Sequence, residues 1–169
     1  MTAEEGERWF RSAHIGTYRA GRLHLPTPIA AYLLPKDSGA KTALARIIMN
    51  EIFAEKPVVM MLGETGVWPS CENGFVFIKY REAITPGQYI GDHAFTHYPL
   101  HFAEAHEATS MEGLIDLCLY FIWDATIFDG AGEAVVEISH DEWIEIGSTS
   151  VDKYNHAVAL FKTFELERI

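Results

Sequence analysis

No lysine or arginine stands between Glu82 and Asp152, a stretch of 71 residues that holds fourteen acids. Phosphate contacts need Lys and Arg, so direct nucleic-acid binding by this part of the chain is disfavoured. Cysteine is scarce: Cys71 and Cys118 are the only two. They read as reduced, buried thiols rather than as a disulfide framework. No apolar run approaches the ~18 residues of a membrane span. The longest, Leu114 to Trp123, is short and is interrupted by Asp116. The opening residues, Met1-Thr2-Ala3-Glu4-Glu5-Gly6-Glu7, are acidic where a secretory signal is basic. These absences predict a cytoplasmic protein with no membrane partner. Phosphate-loop chemistry is also thin. Gly63-Glu64-Thr65-Gly66 follows an apolar run but has neither the lysine of a P-loop nor the third glycine of a dinucleotide fingerprint, so no nucleotide cofactor is expected.

What is present is an ordinary globular composition. The chain has 169 residues, 49% of them hydrophobic and 22% charged. That length suits one domain able to bury a core without disulfide or metal. The net charge of −11 is unevenly spread: residues 1–85 sum to +1 and residues 86–169 to −12. An acidic half favours a basic protein partner, a cation, or solubility alone.

Element signals run through the chain. Thr2 to Glu5 matches a capping box for a helix to about Ala13. Residues 17–28, with Gly21, Pro26 and Pro28, read as a loop or a short edge strand. Ile29 to Leu34 is a short apolar run ended by Pro35. Asp37 or Ser38 then caps a helix to about Glu55, with Ala40, Leu44, Ile47, Ile48 and Phe53 at helical spacing. Val58 to Leu62 is continuous enough for a buried strand. Cys71 to Ala83 reads as a helix, against the strand-like run Phe75 to Ile78. Residues 84–108 are irregular. Thr109-Ser110-Met111-Glu112 forms another capping box, and the helix it opens runs to Trp123. Asp124–Phe128 and Glu133–Ile138 are strands joined by Asp129-Gly130-Ala131-Gly132, turn chemistry that closes adjacent antiparallel strands. Alternation puts Trp123, Ala125 and Ile127 on one side of the first strand and Asp124, Thr126 and Phe128 on the other, and sets Ala134, Val136 and Ile138 against Val135 and Glu137 on the second. Ser139 to Trp143 reads as the capped start of a helical turn, Gly147 as a break, and Ser148-Thr149-Ser150 as caps for a last helix over about Val151 to Phe164. The expected fold is α+β: a single domain, residues 1–169, with four or five helices packed on a small, mainly antiparallel sheet that contains the 124–138 hairpin.

Three constellations bear on function. His93, His97 and His101 lie four residues apart, with His106, Asp92 and Glu104 nearby. On one helix face, imidazoles at that spacing can bind zinc. Pro99 interrupts such a helix and no zinc-enzyme signature is present, so no metal ligand is assigned. Ser139-His140-Asp141 holds the residue types of a hydrolytic triad, but consecutive residues cannot take the triad's geometry, and no catalytic residue is assigned. The third group is the acids on and around the hairpin: Asp124, Asp129, Glu133, Glu137, Asp141, Glu142 and Glu145, with Trp143 as an amphipathic contact residue. As a set they suit electrostatic docking of a basic partner, against the plainer reading of a solvated face. The expectation is a non-catalytic acidic binding protein, of inhibitor, immunity or adaptor type, with no cofactor; exposed aromatics also suit a homodimer. The competing expectation is a metal-dependent hydrolase built on His93 to His106.

Overall fold

The computed structural model describes residues 8, 18–19, 22–23, 28–54, 57–62 and 100–169. The expected helix over 71–83, Cys71, His93 and His97 lie outside these residues, and of the expected helix over 2–13 only Arg8 is described, as helical and exposed. Within 17–28, β1 (Tyr18–Arg19) and β2 (Arg22–Leu23) form a two-stranded antiparallel ribbon.

The body of the fold is one six-stranded sheet. Its strands are β3 (Ile29–Leu33), β4 (Val58–Leu62), β5 (Leu100–Ala103), β6 (Ala125–Asp129), β7 (Ala134–Ser139) and β8 (Trp143–Ser148). Their order is β3-β8-β7-β6-β4-β5, and every neighbouring pair is antiparallel. The interior strands β4 and β6 are buried over nearly their whole length; β4 is an unbroken apolar run, whereas β6 also buries Thr126 and Asp129.

Register explains the core. His101, Met60, Ile127, Val136, Ile146 and Ala30 are successive cross-strand partners, one row across all six strands, and all are buried. The period of two places this row on one face, and the helices cover that face. They are α1 (Ser38–Ile47), α2 (Ala108–Phe121) and α3 (Val151–Thr163). Among the described residues there are three α-helices, not the four or five expected. None of them is long and apolar enough to cross a membrane.

Local chemistry sets the helix ends. The Asp37 carboxylate accepts the Ala40 amide at 2.8 Å and opens α1. α1 keeps the expected stripe, with Leu44 and Ile48 buried, and adds Ala45 and Lys41 to it. It passes into a π-helical turn, Ile48–Ile52, and ends short of Glu55, with Ala54 at φ 49°. The cap of α2 is a correction: Thr109 and Glu112 lie inside the helix. The entry is made by Glu104 and Glu107. The Glu107 carboxylate accepts the Glu104 amide at 3.0 Å and opens a 3-10 turn, Ala105–Glu107, that leads directly into α2. Residues 100–103, expected to be irregular, are strand β5 because Met60 and Val58 give them a partner. Ser150 caps α3 through the Lys153 amide. On α3, Phe161 is fully buried, while Tyr154, Val158 and Phe164 pack at the core's edge.

The larger correction concerns 139–148. Ser139 to Trp143 is a hairpin turn, not a helix start. The Ser139 carbonyl accepts the Glu142 amide at 3.1 Å, its hydroxyl accepts the Asp141 amide at 3.2 Å, and Glu142 takes φ 65°. The chain then returns as β8, whose Trp-Ile-Glu-Ile alternation is strand-like. Gly147 sits inside β8, between Val135 and Ile29, and breaks nothing.

Candidate acidic interface

The eight residues of the acidic set occupy three places. The first is the β6–β7 turn. Asp129 is 1% exposed. Its Oδ1 accepts the amides of Glu133 at 2.6 Å and Ala134 at 3.2 Å, and its Oδ2 lies 3.3 Å from Lys153 Nζ. The Glu133 carboxylate also pairs with Lys153. Turn and helix are thereby tied together, and Asp129 has no surface left to offer. Gly130 continues the same construction. Its amide donates to the Pro57 carbonyl at 2.6 Å, and a Cβ there would lie 3.0 Å from that oxygen and 3.1 Å from Pro57 Cβ. The contact is partly backbone and cannot swing aside. Gly130→Ala is expected to lower stability by about 1–3 kcal/mol, the usual range for an overpacked site, measured as a shift in urea midpoint. A variant as stable as the parent would show that the turn is loosely seated.

The second place is the opposite end of β7, about 17 Å away at a strand's rise per residue. The Asp124 carboxylate holds His140 twice, accepting its backbone amide at 2.8 Å and contacting its Nδ1 at 2.8 and 2.9 Å. Asp141 Oδ1 is 3.6 Å from the other ring nitrogen, and its side chain is 71% exposed. The hydrogen bond to Asp124 raises the His140 pKa above its usual 6.5 and outweighs the opposing desolvation; the charges of Asp124 and Asp141 add smaller upward contributions. Ser139 takes no part in this pair, so the three residue types of Ser139-His140-Asp141 do not form a triad. Glu142 is exposed, and its carbonyl accepts the Leu34 amide at 2.8 Å.

The third place is the sheet face away from the helices. Glu137 and Glu145 are direct cross-strand partners there, with Thr126 beyond Glu137 and Ala31 beyond Glu145. Trp143 lies one pair further along, opposite Ser139 and Leu33.

The histidine constellation is split as well. The row register puts His101 on the buried, helix-covered face of β5, whereas His106 is exposed in the 3-10 turn. Among the described residues no group of three or more His, Cys, Asp or Glu side chains is placed to hold a metal ion. Burial pushes the Cys118 thiol well above its usual range, so it stays protonated and is not a nucleophile. Lys153 is the participant that sequence reasoning passed over. It is the first cation after the long gap and neutralises two of the set. Comparisons with protein-family models, with curated proteins and with solved structures find no match to the chain.

Proposed function

We propose that the protein is a non-catalytic binding module that docks a basic protein partner on the β7–β8 hairpin. The observation that carries this reading is the placement of Glu137 opposite Glu145, next to Trp143 and the exposed Asp141 and Glu142, on a hairpin that contains no lysine or arginine. A positively charged partner complements the negative field of that hairpin, and Trp143 supplies an amphipathic contact. Asp124, Asp129 and Glu133 belong to the fold rather than to the docking face, because His140 and Lys153 engage them. The docking set proposed is Glu137, Asp141, Glu142, Trp143 and Glu145, the members on the β7–β8 hairpin.

Changing Glu137, Glu142 and Glu145 together to lysine tests this. Affinity capture with the parent at low salt is expected to retain a basic protein that the triple variant does not. The association rate should fall about tenfold or more, and the parent's rate should drop steeply with added salt. Equal capture by both proteins, or binding indifferent to salt, ends this reading.

A further inference from the structure

We propose that the β7–β8 turn is a proton-operated latch, closed while the His140 imidazole carries its second proton and slackened when that proton leaves. Three elements meet at this turn. Asp124, in the connection from α2 to β6, grips both the backbone amide and Nδ1 of His140. Asp141, in the turn itself, faces Nε2 at 3.6 Å. Two residues on from His140, the Glu142 carbonyl accepts the Leu34 amide at 2.8 Å, which ties the turn to the exit of β3. Glu142 holds φ 65°, a conformation disfavoured for any residue with a Cβ, so the turn needs these ties to keep its shape.

The ring's environment decides which proton moves. Asp124 holds Nδ1–H, so Nδ1 stays protonated in both states. The proton exchanged with solvent is the one on Nε2. With it in place, the imidazolium makes a charge-assisted bond to Asp124 and attracts Asp141. Without it, the bond to Asp124 becomes a neutral-donor bond, and the Nε2 lone pair faces a carboxylate. Asp124 and Asp141 are the charged groups that act on the ring among the described residues. Both favour the charged ring, so the folded-state pKa is raised. The latch's contribution to stability is therefore fully present below the ordinary value near 6.5 and is lost as pH rises through the raised value.

The test is an NMR titration of the whole chain, following the His140 ring together with the amides of His140, Glu142 and Leu34. All are expected to share one midpoint above 6.5. Asp124→Asn should lower that shared midpoint, and Asp141→Asn should lower it by less. His140→Gln, which keeps a polar side chain in the turn, should abolish the common transition at Leu34 while leaving the fold intact. A ring that titrates at its ordinary value, a midpoint unmoved by Asp124→Asn, or a Leu34 amide that ignores the titration would overturn the proposal. The readout needs no binding partner, so it is independent of the docking reading.

Discussion

Asp129→Ala is expected to cost about 3–4 kcal/mol of folding stability, a large share of the ~5–15 kcal/mol that holds a domain of ordinary stability. The substitution removes the acceptor for two amides, Glu133 and Ala134, and Ala134 is itself buried. Stranding a buried donor costs about 1–3 kcal/mol. It also removes one of the two carboxylates that hold Lys153, a smaller loss because that cation is 31% exposed and keeps Glu133. Asp129→Asn keeps an acceptor oxygen and should lose about half as much. The measurement is urea unfolding, with the midpoint lowered and the slope unchanged. The same variant separates fold from function: once corrected for the fraction folded, its affinity for a basic partner should equal the parent's. Weaker binding by a fully folded Asp129→Ala protein would return this residue to the docking face.

Phe161→Ala should be as damaging, at about 3–5 kcal/mol, the usual cost of emptying an aromatic site in a core. Phe161 is fully buried and meets the Tyr32 ring edge to face, with centroids 5.2 Å apart at 83°. It seats α3 on the sheet's β3 side, and no other fully buried large side chain on α3 shares that task. Partial collapse around the void is resisted because Tyr32 is fixed in β3 by its register with Ile144. Phe161→Leu, which fills most of the volume, should cost under about 1.5 kcal/mol. A loss below 1 kcal/mol for the alanine variant would mean that α3 is not anchored through this ring.

The acidic set shows where sequence reasoning stops. Its members were legible as residues because the gap in Lys and Arg is plain in the chain. Their grouping was not. Asp129 and Asp124 sit at opposite ends of the sheet, and each is engaged by a side chain that lies 24 or 16 residues further on. No local pattern encodes a contact of that kind. The 139–143 turn was misread for a related reason. Ser139 followed by an acid three residues later fits a helix cap as well as a hairpin turn, and only the availability of β7 and β3 as partners for 143–148 decides between them. Likewise Glu104 rather than Thr109 opens α2, because β5 pairs with β4 and delivers the chain to that point.

By itself, the sequence determined the local and periodic features. These include the helix after Asp37–Ser38, the buried strand over 58–62, the 124–138 hairpin with its alternation, and α3. Each depends on contacts within a turn or on a repeat of 2 or 3.6 residues, and such information is carried by neighbours in the chain. Tertiary structure alone decided the strand order, the row from His101 to Ala30, the burial of Asp129 and the capture of His140 by Asp124. Those depend on which segments meet in space, and the free energy that selects them is that of the whole packed sheet rather than of any one stretch.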